Sequence, residues 1–121
     1  TGKLFSFCCM APAIIKKKSL KEIKFLEKIG ANIGLLFQIA DDLIDFKGSS
    51  KIAGKKTGKD STKGKATLIS LLGYKNAIKY RDKIKSKIVR DLKKYGSNLN
   101  NINETLNYIL TRNKWIKTIN F

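Results

Sequence analysis

Between Leu20 and Phe46 the apolar residues Ile23, Leu26, Ile29, Ile33, Leu36, Phe37, Ala40 and Ile44 recur at intervals of three and four. That spacing gathers side chains on one face of an α-helix. A helix this long constrains the chain more than any other feature, because its apolar stripe needs partners along its whole length. Ser19 and Glu22, just ahead of it, are spaced as a capping box. Gly30 and Gly34 lie a turn apart within it and read as points of close approach by another helix rather than as breaks. No stretch alternates apolar and polar residues as a strand does, and no internal repeat is present. The predicted fold is all-α.

The segments around this helix extend the pattern. Gly2 to about Lys17 carries Leu4, Phe5, Cys8, Cys9, Ala11, Ile14 and Ile15 at helical spacing, with Pro12 expected to kink it. The apolar run from Leu4 to Ile15 is about 12 residues against the roughly 20 of a membrane span, so it reads as a buried helix with Cys8 and Cys9 as small core residues. Adjacent cysteines rarely make a structural disulfide, and with no CxxC and no histidine there is no zinc site; a reduced, cytoplasmic chain fits best. Lys47 to Lys65, KGSSKIAGKKTGKDSTKGK, loses the periodicity and reads as a loop of a length that is uncommon in a compact domain unless functional or disordered. Periodicity resumes at Ala66 to Leu72, pauses at Gly73, and continues from Tyr74 to Tyr95 on Ala77, Ile78, Ile84, Ile88 and Leu92, with Gly96 as C-cap. A last helix is expected from Ile102 to about Arg112, with Asn101 and Glu104 spaced as a cap pair.

The chemistry concentrates at the end of the long helix. Phe37 to Asp45 reads FQIADDLID, which puts Asp41 and Asp45 on one face, Asp42 about a quarter turn round, and Gln38 one turn below Asp41. Two like charges at roughly 5 to 6 Å repel by about 3 kcal/mol at an effective dielectric of about 20, so the cluster calls for a cation. The lysine- and glycine-rich segment follows directly and is placed to fold back over these carboxylates. Carboxylates flanked by lysines suit magnesium bound to a diphosphate: the metal takes one or two carboxylates plus phosphate oxygens, and lysines neutralise the remaining charge. Glycines 54, 58 and 64 would admit backbone N–H groups close to those oxygens. The formal net charge of +17 also points to an anionic partner. Nucleic acid is the rival reading. Against it stand the carboxylates among the basic residues, arginine only at positions 81, 90 and 112, and a loop without aromatic residues to stack on bases.

With Phe37, Gln38, Asp41, Asp42 and Asp45, then Gly54 and Lys55, Gly58 and Asp60, and Gly64, Lys65 and Thr67 in this order, the sequence resembles the trans-isoprenyl (polyprenyl) diphosphate synthases. Among these it is most similar to the bacterial farnesyl diphosphate synthases, or geranyltranstransferases. Thr1, Gly2 and Leu4 match the end of the family's Lys-Thr-Gly-x-Leu signature, and Tyr108 to Lys114, YILTRNK, resembles its basic C-terminal end.

The resemblance implies that residues 1–121 are the C-terminal part of one all-α isoprenoid synthase domain, its N-terminal half lying upstream and the fragment alone inactive. It implies a prenyltransferase that condenses isopentenyl diphosphate with an allylic diphosphate (dimethylallyl or geranyl) to give farnesyl diphosphate, with Mg2+ as cofactor. Asp41 would be the principal magnesium ligand, with Asp42 and Asp45 acting directly or through water. Lys55 and Lys65 would contact the allylic diphosphate, as would Thr1, with Gln38 beside it. Phe37 would line the isoprenoid pocket, and Arg112 and Lys114 would lie near the isopentenyl diphosphate site. Ile69 stands where many members have proline. Family members are usually homodimers, and neither nucleic acid nor a membrane span is expected. Geranylgeranyl or another chain length is the nearest alternative product, and an inactive partner subunit a further reading.

Overall fold

The structure is a computed structural model that describes residues 1–53 and 67–112, with side chains to residue 48 in the first span. The described residues form α1 (Gly2–Ile15), α2 (Leu20–Ala53), α3 (Leu68–Leu72), α4 (Tyr74–Asp91), a 3-10 segment (Leu92–Asn98) and α5 (Leu99–Thr111), with no strand among them.

Helices α1 and α2 form an antiparallel hairpin whose register is set by two glycines. A Cβ built on Gly34 would stand 2.7 Å from the Gly2 Cα, and one on Gly30 would stand 2.7 Å from the Phe5 carbonyl carbon. Only a residue without a side chain permits such an approach. Ser6 Oγ donates to the Glu27 carbonyl at 3.0 Å and continues the same register. The chain reverses at Lys17, whose φ of 51° is left-handed. α1 is continuous through Pro12 to Ile15.

The opposite face of α2 carries the core. Ile29, Ile33, Leu36, Ile39, Ala40 and Leu43 are buried with Ile69 of α3, Ala77, Ile84 and Ile88 of α4, Leu92, and Leu99, Leu106 and Ile109 of α5. α4 runs antiparallel to α2: Tyr74 stacks on Phe46 near one end (centroids 5.2 Å apart), and Tyr95 bonds to Glu22 beyond the other. α5 turns back to run with α2 and ends against its acidic stretch. α2 is thus the central helix, clad by α1 on one side and by α4 and α5 on the other. Leu36, Ile39, Ile88, Leu92 and Leu106 are the largest of the fully buried side chains, each contributing about 1.5–3 kcal/mol by leaving water.

Several expected boundaries move. α2 continues to Ala53, so the segment expected to be loop from Lys47 is helical for its first seven residues, and only its remainder lies outside the described residues. Apolar periodicity stops at Phe46, but lysine and alanine still favour helix. α4 gives way at Leu92 to the 3-10 segment instead of running to Tyr95, and Gly96 turns the chain with a φ of 63°. α5 begins at Leu99, three residues early, because Leu99 is drawn into the core, and Asn101 lies inside the helix rather than at its cap. The capping box is half made. Ser19 Oγ accepts from the Glu22 N–H at 3.2 Å, but the Glu22 carboxylate accepts instead from Tyr95.

α1 is not wholly buried as expected. Ala13 is, but Leu4, Phe7, Ile14 and Ile15 are exposed, since α2 covers only one side of a helix that is apolar all round. Cys8, expected in the core, lies on the exposed side; Cys9 is half-buried, and burial together with the Cys8 thiol pushes its pKa up. Ile69, in place of proline, is buried in α3, whose first turn is capped by Thr67 Oγ1 accepting from the Ser70 N–H at 3.2 Å.

Candidate active site

The carboxylates lie on the last described turns of α2 that carry side chains. Ala40 and Leu43 point into the core and hold this part of the helix down, which leaves Asp41 and Asp42 partly covered and Asp45 exposed. Among the described residues no group of three His, Cys, Asp or Glu side chains converges on one point. The donor set is nevertheless hard oxygen, with Asp41 and Asp45 a turn apart on one face, which is the number and type of carboxylates that Mg2+ accepts alongside phosphate and water. Asp41 already faces a cation, and its side chain keeps 44% of its accessible surface.

That cation is Arg112. Its Nη2 pairs with Asp41 Oδ1 and lies 3.4 Å from the Phe37 carbonyl oxygen, while its guanidinium carbon sits 4.0 Å from the centre of the Phe37 ring. Burial moves the guanidinium down from its usual pKa, and the group stays charged. The Phe37 ring also packs against Phe5 of α1, with centroids 5.6 Å apart. Phe37 is therefore part of an aromatic wall with a cation against it.

The hairpin register delivers the start of α1 to the same place. Gln38 Nε2 donates to Thr1 Oγ1 at 3.1 Å, one turn before Asp41. Thr1 Oγ1 accepts this bond, which leaves its O–H able to donate a hydrogen bond to an anionic oxygen. Thr1, Phe37, Gln38, Asp41 and Arg112 are thus gathered in one place, with Asp42 and Asp45 on the next turn of α2. Lys55, Lys65 and Lys114 lie outside the described residues.

Two features were not foreseen. Phe5 completes the wall, and a signal for it existed in the glycine pair, whose register lays the first turns of α1 alongside Gly30 to Gln38. The Arg112 contact had none, because the residue stands 71 positions from Asp41 and was expected at a substrate phosphate.

The polyprenyl synthetase family model matches residues 1–109. Farnesyl diphosphate synthase of Bacillus subtilis (strain 168) is 40% identical over 77 residues, covering 64% of this chain and 26% of that protein. Farnesyl diphosphate synthase of Micrococcus luteus is 33% identical over 114 residues, covering 94% of this chain and 39% of that protein. Geranylgeranyl pyrophosphate synthase 4 of Arabidopsis thaliana is 32% identical over 114 residues, covering 93% and 31%. The chain spans about a quarter to two-fifths of the length of these relatives. No solved structure matches it.

Proposed function

The chain belongs to the polyprenyl synthetase family, and on that premise we propose that it forms the second acidic half of a prenyltransferase site that condenses isopentenyl diphosphate with an allylic diphosphate. The observation that carries this reading is the placement of the Thr1 hydroxyl on Gln38, one turn before Asp41. A donor for phosphate oxygen and a carboxylate for a divalent cation then lie one turn apart on α2.

Asp41, Asp42 and Asp45 are the residues that would hold Mg2+. When bound, the ion supplies charge neutralisation at the departing diphosphate. Thr1 donates its hydroxyl proton to a phosphate oxygen, and Gln38 fixes the rotamer in which it does so. Lys55 and Lys65, by their place in the motif, neutralise the rest of the diphosphate charge and steady it as it leaves the allylic carbon. Phe37, backed by Phe5, presents an aromatic wall to the hydrocarbon and keeps water from the cationic carbon. The double bond of isopentenyl diphosphate attacks that carbon, and the adduct gives up a proton to the released diphosphate. No histidine base is available for it in this chain. Lys114, and Arg112 once released from Asp41, would neutralise the second diphosphate.

Farnesyl diphosphate is the product we favour, supported by the Bacillus and Micrococcus relatives; the Arabidopsis geranylgeranyl synthase, at 32% identity, keeps the longer product as the second reading. A homodimer rests on family resemblance, and a cytoplasmic location on the adjacent cysteines. No helix among the described residues is long and apolar enough to cross a membrane. Incubating the complete protein with isopentenyl and dimethylallyl diphosphates and separating the products tests the reading. Asp41→Ala is expected to lower turnover at least about a hundredfold, the scale of losing one electrostatic contact to the departing group. Parental turnover in that variant would remove Asp41 from the site.

A further inference from the structure

The end of α5 closes on the acidic stretch of α2 through one side chain. Arg112 meets Asp41 by an ion pair, the Phe37 carbonyl by a long hydrogen bond, and the Phe37 ring by its face. These three contacts leave the arginine side chain 15% exposed. Such a charge is not removed by deprotonation. It neutralises the carboxylate that must serve a divalent cation if the reading above holds. Mg2+ requires short, near-ideal oxygen contacts, and a second cation a few ångströms away adds repulsion to the loss of the shared oxygen.

We propose that Arg112 is an internal counter-ion that occupies the divalent cation's place at Asp41, so that cation binding and docking of the α5 end on Phe37 exclude each other. The contact is autoinhibitory. It holds the carboxylate neutralised and covers one face of the Phe37 ring, and both are released together. A cation that takes Asp41 displaces the guanidinium and uncovers the ring against which a hydrocarbon chain packs. The order of events follows: the cation first, then the apolar substrate. By linkage, the affinity that the latch withholds from the cation is the affinity that its removal returns.

The inference rests on Asp41 being a cation ligand, and the test separates the two claims. Mn2+, which suits the same oxygen donors, is titrated into the complete protein while the free-ion electron paramagnetic resonance signal is followed. The variants are Arg112→Gln, Arg112→Lys, Asp41→Asn and the Arg112→Gln/Asp41→Asn double variant. Arg112→Gln is expected to tighten Mn2+ binding about fivefold or more. Arg112→Lys, which keeps the charge but not the planar fork and protects against a general loss of folding, is expected to fall between Arg112→Gln and the parent. In the Asp41→Asn background the arginine change is expected to have no effect. If Arg112→Gln binds Mn2+ no more tightly than the parent while Asp41→Asn abolishes binding, the latch is overturned and the cation site stands. If Asp41→Asn binds as the parent does, both fall.

Discussion

Tyr95 shows how one polar pair fastens the 3-10 segment to the start of α2. Its hydroxyl donates to Glu22 Oε1 at 2.9 Å, and burial, that hydrogen bond and the Glu22 charge push the phenol up to about 12. In the unfolded chain the phenol ionises near its usual value of about 10. Between those values the unfolded state binds fewer protons than the folded one. The contribution is therefore intact below about pH 10 and is lost as pH rises toward 12. Of the four tyrosines in the chain, Tyr95 is expected to ionise last when tyrosinate absorbance is followed. Tyr95→Phe should delete that late step and lower stability at neutral pH by about 0.5–1.5 kcal/mol. A late step that persists in the variant would assign it elsewhere. At this scale the sequence is legible only where partners are near in the chain. Ser19 was identified as a cap for the first turn of α2 and is one, whereas the Glu22 carboxylate went to a tyrosine 73 residues away. Asp41 likewise went to an arginine 71 residues away. The type of a residue announces that it needs a partner; only the tertiary fold decides which.

At the scale of elements, the α1/α2 hairpin follows from its small residues and gives the site its first donor. Gly30 and Gly34 were legible as close-approach points because they lie a turn apart in a helix that otherwise keeps its period. The helix ends were not legible in the same way. Lys47 to Ala53 stays helical without an apolar stripe to betray it, and Leu99 starts α5 early because the core claims it. An apolar stripe reports a buried face, and where the stripe ends a helix can continue on propensity alone. The two kinds of glycine in α2 make a paired prediction. Gly48 has nothing within 4 Å of a built Cβ, so Gly48→Ala should gain about 0.5–1 kcal/mol from helix propensity. At Gly34 the same change meets the Gly2 backbone at 2.7 Å, and backbone cannot swing aside as a side-chain tip can. Gly34→Ala should therefore cost about 1–3 kcal/mol by overpacking and disturb the Thr1–Gln38 contact. Denaturant midpoints of the two variants should move in opposite directions; a shift of the same sign would mean that α1 is not held by this approach.

For the molecule as a whole, charge is the dominant unbalanced quantity. Pairing every one of the 9 carboxylates would still leave 17 cations, and the acidic motif is a small negative island on this background. That imbalance suits a diphosphate partner and steers it, but it also strains the fold. The strain is best seen on α4, where Lys75, Lys79, Lys83 and Lys87 follow at four-residue intervals along one exposed to half-exposed row, with Asp91 pairing to Lys87 at 3.4 Å only at its end. Each like-charged neighbour along such a row costs about 0.2–0.5 kcal/mol. Salt should relieve this repulsion: from about 0.01 M to about 0.15 M the screening length falls from roughly 30 Å to roughly 8 Å. Thermal unfolding is therefore expected to shift upward across that range. Lys79→Glu replaces two repulsions by two attractions and should raise the midpoint at low salt while flattening its rise with salt. If stability instead fell as salt was added, the ion pairs Arg112–Asp41 and Lys87–Asp91 would outweigh lysine repulsion, and the charge excess would cost the fold nothing.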